Sequence, residues 1–174
     1  MDRHIFLIGF MGSGKTYWGR RLAPALGCAF LDLDAWIEEG EQRTIADIFA
    51  GSGETGFRVL EQQYLHRLAA LPPAVVATGG GTPCFFDNMD WMKRRGHTIY
   101  LETPPGILAG RLKKGRDRRP LLKSLDDAGL EIFIRERLAA REPFYRQAEA
   151  ILTQTGDSEA DRQRLLEIAG SWEP

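Results

Sequence analysis

The sequence predicts an α/β fold, a three-layer sandwich with a five-stranded parallel sheet between two layers of helices. Three observations predict it. Short strand-like runs alternate with amphipathic helical stretches along the chain, the order that gives a parallel sheet covered on both faces. The first run, Ile5-Phe6-Leu7-Ile8, is apolar at every position, which suits a strand buried on both sides. A glycine-rich stretch, Gly9 to Thr16, then separates that strand from a helical pattern carried by Trp18, Leu22, Ala25 and Leu26.

The elements follow in order. Ala29-Phe-Leu-Asp-Leu reads as a second strand with Asp32 and Asp34 at its end. One helix begins near Trp36 and another at Ile45, with Thr44 placed to cap it. Gly51, Gly53 and Gly56 read as a turn, and Phe57 to Leu71 as an amphipathic helix stopped by Pro72-Pro73. Ala74-Val-Val-Ala-Thr is a third strand running into Gly79-Gly80-Gly81. A short helix, Asn88 to Arg95, is closed by Gly96, and His97 to Leu101 is a fourth strand. Pro105 to Leu112 is helical, and Lys113 to Arg119 holds five basic residues in seven, the composition of a mobile loop. A helix from Leu130 to Tyr145, a fifth strand Ala150 to Thr153, and a helix from Ser158 to Ala169 complete the chain. In the last helix Ser158 is the expected N-cap and Gly170 the stop. Ligands of such sheets sit at the carboxyl ends of the strands, so Gly9–Thr16, the aspartate pair and the triple glycine should meet on one edge.

Composition narrows the function classes. A chain of 174 residues suits one domain, 1–174, with a sizeable core. The formal net charge of −1 gives no general attraction to nucleic acid or anionic membrane. No apolar run approaches the roughly 20 residues of a membrane helix. The first strand starts so near Met1 that a leader peptide is not expected. Cys28 and Cys84 form no framework or C-x-x-C pair and read as small packing residues. A cytoplasmic monomer without nucleic-acid or membrane partners is the expectation.

Gly9–Thr16 matches the P-loop pattern G-x-x-x-x-G-K-[ST]. Its glycines let the backbone curl so that N–H groups around Gly12, Ser13 and Gly14 face phosphate oxygens. The following helix adds its positive end. Lys15 supplies a point charge for the outer phosphates of ATP, and the Thr16 hydroxyl is placed to ligate Mg²⁺. Asp32 and Asp34 lie two apart and project from one face if the strand persists. One carboxylate can then hold Mg²⁺ through water and the other can take a proton from an attacking hydroxyl. The competing reading is a solvated turn pair or a helix cap. The triple glycine permits close backbone approach or is simply a flexible turn. Arg58 and Arg141 match a carboxylate by their fork geometry, with Glu61 able to orient Arg58; a surface ion pair is the alternative. The basic loop can close over ATP, supply charge and exclude water, or be a solvated charge run.

Taken together these residues resemble the shikimate kinases, small P-loop kinases of the nucleoside monophosphate kinase type. The resemblance rests on Gly9–Thr16, Asp32-Leu-Asp34, Ile45-Ala-Asp-Ile-Phe49, Phe57-Arg58 with Glu61, Gly79–Gly81, Arg119-Pro-Leu-Leu122 and Arg141-Glu-Pro-Phe-Tyr145. It implies a P-loop NTPase fold with a mobile lid at about 112–124 and acceptor-binding helices at about 35–62. It implies transfer of the ATP γ-phosphate to the 3-hydroxyl of shikimate, on the route to chorismate and the aromatic amino acids. By position, Lys15 and Arg119 would stabilise the transferring phosphate, and Asp32 would stand behind Thr16 at Mg²⁺. Asp34 would hold the shikimate hydroxyls as general base. Arg58 and Arg141 would clamp the carboxylate beside Gly79, Gly80 and Gly81, with Gly80 giving an N–H. Phe49 and Phe57 would wall the ring, and Arg111 would pack on adenine. Another small hydroxy-acid kinase of the gluconate type, or a non-catalytic nucleotide-binding module, is the alternative.

The chain also departs from the family pattern. Tyr17-Trp18 follows the P-loop where smaller residues are usual, and reads as a packing change. Thr82-Pro-Cys-Phe-Phe86 is unusually apolar for its place beside the site. The adenine loop near Gly156 has no clear match, and the lid carries Arg116 and Arg118 besides Arg119.

Overall fold

The computed structural model describes residues 3–114, 122 and 124–171. The chain runs β1 (His4–Ile8), α1 (Lys15–Ala25), β2 (Ala29–Asp32), α2 (Leu33–Glu41), α3 (Ile45–Arg67), β3 (Ala74–Ala77) and α4 (Asn88–Arg95). It continues through β4 (Gly96–Glu102), α5 (Pro105–Lys113), α6 (Asp127–Tyr145), β5 (Ala150–Thr153) and α7 (Ser158–Gly170). Single 3₁₀ turns occupy Leu68–Ala70 and Thr82–Cys84. All pairings are parallel, in the order β2-β3-β1-β4-β5. The sequence-predicted sheet is therefore present, with the glycine-loop strand β1 at its centre, where Ile5 pairs with both Val75 and His97.

Strand alternation divides the core in two. Ile5 and Leu7 belong to a cluster with Trp18, Leu22, Ile99 and Leu165, on the face covered by α1 and α7. Phe6 and Ile8 belong to the other, with Leu65, Trp91, Tyr100 and Tyr145. All five β1 residues are buried, and the four from Ile5 to Ile8 are the continuous apolar run that a strand covered on both faces requires. Each fully buried aliphatic chain here stabilises the fold by about 1.5–3 kcal/mol.

Helix ends explain several boundaries. Thr44 caps α3 in a reciprocal box: its hydroxyl accepts from Asp47 N at 3.1 Å, while Thr44 N donates to the Asp47 carboxylate at 3.3 Å. The expected turn at Gly51, Gly53 and Gly56 is instead a kink inside α3. Only Gly53 leaves helical geometry, at φ 68° and ψ −176°, a conformation closed to side chains. Asp157, not Ser158, caps α7, because its carboxylate reaches Glu159 N and Ala160 N at 3.0 and 3.3 Å. Gly96 caps the end of α4 as expected, its N–H donating to Met92 O, but in extended geometry at φ −179° rather than a left-handed turn, and it opens β4 pressed against the His4 backbone.

Gly19 sets how closely α1 lies on β2. It is buried, and a Cβ there would overlap the Phe30 ring, with Cδ2 at 2.8 Å. Gly19→Val is expected to lose about 2–3 kcal/mol through overpacking, which lowers Tm by about 5–10 °C. An unchanged melting temperature would show that this contact does not set the spacing.

Candidate active site

The carboxyl ends of β1, β2 and β3 bring the predicted residues to one edge. Gly12 and Gly14 sit at φ 81° and 92°, and Gly14 caps α1, so the loop curls directly into the helix end. Lys15 is buried and its Nζ donates to Gly9 O at 2.8 Å and Phe10 O at 3.0 Å. Burial lowers its pKa to about 8, against the raising pull of Asp34 and Asp32. Thr16 Oγ1 donates to Asp32 Oδ2 at 2.7 Å.

The aspartates are not two strand residues on one face. Asp32 ends β2 and caps α2, accepting from Ala35 N at 3.4 Å, and Asp34 lies in the first turn of α2. The helix starts at once because Asp32 offers it a cap, and this separates the two carboxylates into two environments. Asp32 faces Thr16, so these two oxygens suit a Mg²⁺ ion that keeps water and phosphate ligands. No cluster of three or more His, Cys, Asp or Glu side chains that could hold a metal ion exists among the described residues. Asp34 faces inward, and burial, then the Glu61 and Asp32 charges, raise its pKa to about 6, opposed by Lys15 and Arg58.

The triple glycine is a wedge between charged side chains. A Cβ at Gly79 would meet Glu61 Oε1 at 2.6 Å and Asp34 Oδ1 at 2.9 Å. One at Gly80 would meet Arg141 Nη1 at 3.3 Å, and one at Gly81 would meet Arg58 Nη2 at 2.5 Å. Close approach, rather than flexibility, is therefore why glycines stand here. Arg58 is only 7% exposed. Its Nη1 donates to Glu61 Oε2 at 2.8 Å and its Nη2 to Glu54 at 3.1 Å, while Nε is buried without a partner. It lies one turn beyond the Gly53 kink, with its guanidinium 4.3 Å from the Phe85 ring centre. Phe57 is buried and Phe49 half-buried, with ring centres 4.6 Å apart. Arg141 on α6 lies over Phe10 at 5.7 Å.

Two adjoining cavities complete the edge. One of about 480 Å³ is lined by Gly12, Lys15, Thr16, Asp32, Asp34 and Gly80. A second of about 340 Å³ shares Gly12, Gly14, Tyr17 and Arg111 with it and extends to Gly156 and Ser158. Arg111 Nη1 donates to Gly12 O at 3.1 Å, and both its Nη atoms donate to Gln154 Oε1 at 3.2 Å. Arg119, with Arg116 and Arg118, lies outside the described residues, as does most of the expected lid.

Several contributors carried no local signal in the sequence. Gln154 is buried just past β5 and donates to Ser13 O at 2.7 Å and to Thr103 Oγ1 at 2.8 Å, tying the P-loop to Arg111. Asp161 is buried and accepts from Thr155 N at 2.9 Å and Gly156 N at 3.3 Å, which shapes the loop at Gly156. Tyr17 is not a packing residue. It is 45% exposed, lies 3.6 Å under the Arg21 guanidinium and borders both cavities, whereas Trp18 packs in the core. Thr82 is buried with its hydroxyl on Glu61, and Phe86 is exposed at φ 52°. Cys28 and Cys84 are free and half-buried.

The family model for shikimate kinase matches residues 11–169. The chain belongs to the shikimate kinase family. A shikimate kinase of Bacteroides thetaiotaomicron is 43% identical over 169 residues, covering 94% of this chain and 97% of that one. A crystal structure of shikimate kinase from the same organism superposes with a TM-score of 0.90 at 42% identity, over 95% of this chain and 97% of its own. A shikimate kinase from Acinetobacter baumannii, solved in complex with shikimate, gives 0.87 at 38% identity, over 98% of this chain and 94% of its own. These likenesses bear out the α/β, P-loop fold and the kinase reading, and they do not favour the gluconate-type or non-catalytic alternatives. No helix among the described residues is long and apolar enough to cross a membrane.

Proposed function

We propose that the chain transfers the ATP γ-phosphate to the 3-hydroxyl of shikimate, giving shikimate 3-phosphate and ADP, with its residues divided between a donor half and an acceptor half. The observation that carries this division is the convergence of Asp34, Arg58 and Arg141 on Gly79–Gly81, beside the P-loop cavity. In the donor half, N–H groups from Gly12 to Thr16 and the Lys15 ammonium bind the phosphates. Arg111 flanks the nucleoside end. Thr16 and Asp32 would hold Mg²⁺, which supplies charge neutralisation at the phosphates. Arg119 is assigned the transferring phosphate by its place in the Arg-Pro-Leu-Leu motif.

In the acceptor half, the Arg58 and Arg141 forks and the Gly80 N–H take the carboxylate, and Phe49 and Phe57 wall the ring. Asp34 accepts the hydroxyl proton as the γ-phosphorus–oxygen bond to ADP breaks and the new phosphate ester forms. One domain working as a cytoplasmic monomer is the setting we infer.

ADP formation measured with shikimate, gluconate or no acceptor tests this reading. Turnover dependent on shikimate supports it, and equal rates with gluconate or without acceptor contradict it.

The two perturbed groups predict a bell-shaped pH profile for kcat/KM of the acceptor. Asp34 must be ionised, so the rate falls as pH drops below about 6. Lys15 must be charged, so the rate falls as pH rises above about 8 at low ATP. Saturating ATP should move the upper limb alkaline, because phosphate favours the ammonium form. A profile flat from pH 5 to 9 would contradict both assignments.

A further inference from the structure

We propose that Thr82 is a positioning residue for acceptor binding: its hydroxyl holds the Glu61 carboxylate that aims Arg58. This rests on the carboxylate role proposed for Arg58.

Glu61 and Thr82 are both fully buried. Thr82 Oγ1 donates to Glu61 Oε1 at 2.5 Å, and Arg58 Nη1 donates to Glu61 Oε2 at 2.8 Å. Each carboxylate oxygen therefore has its own donor, and the plane of the group is fixed from two sides. Thr82 is itself anchored. Its backbone N donates to Gly79 O at 3.2 Å, and its carbonyl accepts from Asn88 Nδ2 at 3.0 Å. A chain of contacts runs from Asn88 at the start of α4 through Thr82 and Glu61 to Arg58.

Arg58 depends on that chain. Its other ion pair among the described residues is to Glu54, whose side chain is 53% exposed, and its Nε has no hydrogen-bond partner. An exposed carboxylate fixes a guanidinium weakly, whereas a buried and doubly hydrogen-bonded one fixes it well. Removing the hydroxyl leaves Glu61 Oε1 without a donor, next to Gly79 and facing Asp34. The carboxylate then turns to share its remaining donor, and the guanidinium turns with it.

The test uses three substitutions. Thr82→Val keeps the shape and removes the hydroxyl, Thr82→Ala removes both hydroxyl and methyl, and Thr82→Ser keeps the hydroxyl. The readouts are KM for shikimate, KM for ATP, kcat and Tm. Thr82→Val and Thr82→Ala are expected to raise the shikimate KM by about 5- to 30-fold, the effect of one lost hydrogen bond to a charged group. The ATP KM should stay within about twofold and kcat should change less than the shikimate KM. Thr82→Ser should bind shikimate within about twofold of the unsubstituted protein.

A packing role predicts a different order. Thr82→Ser, which loses a buried methyl, would then do at least as much harm as Thr82→Val, and KM would follow Tm. That order, or an unchanged shikimate KM in both hydroxyl-free variants, overturns the proposal. If Thr82→Val does not fold, Thr82→Ala against Thr82→Ser isolates the same hydroxyl. Arg58→Ala, measured in parallel, separates the two levels. If Arg58→Ala raises the shikimate KM and Thr82→Val and Thr82→Ala do not, only the Thr82 role has failed. If Arg58→Ala leaves it unchanged, the carboxylate reading has failed and the Thr82 role falls with it.

Discussion

Asp34→Asn is expected to lower turnover by about 10²- to 10⁴-fold, the usual contribution of a positioned general base, while raising thermal stability. The two effects have one cause. Burial and the neighbouring carboxylates raise the Asp34 pKa from 3.8 to about 6 in the fold. The folded state therefore disfavours the ionised form. The penalty is absent below about pH 4, grows as pH rises toward 6, and is complete above it. At pH 7.5 the asparagine variant escapes it, which amounts to about 1–3 kcal/mol and a Tm higher by about 3–8 °C. At pH 4 the gain should vanish. A residue that merely supported the fold would lose stability and activity together. Differential scanning calorimetry at the two pH values, beside turnover with ATP and shikimate, checks both halves. Near-normal turnover would remove Asp34 as the base, and a lower Tm at pH 7.5 would contradict the electrostatic account.

Arg58→Ala should weaken acceptor binding by about 2–5 kcal/mol, the loss of a desolvated charge-assisted partner, with ATP affinity nearly unchanged. It should also destabilise the protein by about 3–5 kcal/mol, because Glu61 would remain buried and unpaired. Arg58→Lys separates these effects. It keeps a charge for Glu61 but lacks the planar fork, so folding should largely recover while shikimate binding stays at least about tenfold weaker. Isothermal titration with shikimate and with ATP, together with thermal melts, measures each. Equal losses for both ligands would count against a carboxylate clamp.

What could be read beforehand was what the chain encodes locally. Gly9–Thr16 is contiguous, and its fold follows from its own glycines and the helix behind it, so loop, strand and helix were all legible. The sheet followed from apolar runs such as Ile5–Ile8. Asp34 is expected at a strand end but stands in the first turn of α2. The choice between strand and helix after Asp32 turns on a cap to Ala35, a hydrogen bond that the letters Asp-Leu-Asp do not reveal. The kink at Gly53 was hidden for a similar reason, since three glycines in six residues suggest a turn while the packing of Ile48 and Phe57 keeps both halves helical.

Long-range partners were illegible. Gln154 reaches Ser13 across 141 residues, and Thr82 reaches Glu61 across 21, with no periodicity to announce either. Arg58 and Arg141 had the fork geometry that suits a carboxylate, but their spacing could not distinguish them from surface arginines. Their packing against the triple glycine does. Tyr17 follows the P-loop on a helix, which suggests packing; only the direction of its side chain puts it beside the two cavities.

The most direct test of the central claim is the identity of the phosphorylated product, followed by ³¹P NMR in a mixture of protein, ATP, Mg²⁺ and shikimate. The account predicts that the ATP γ-phosphate signal is replaced by one phosphate monoester signal in step with ADP, and that none of this occurs without shikimate. Release of inorganic phosphate alongside ADP with no monoester signal, or no consumption of ATP when shikimate is present, would contradict it.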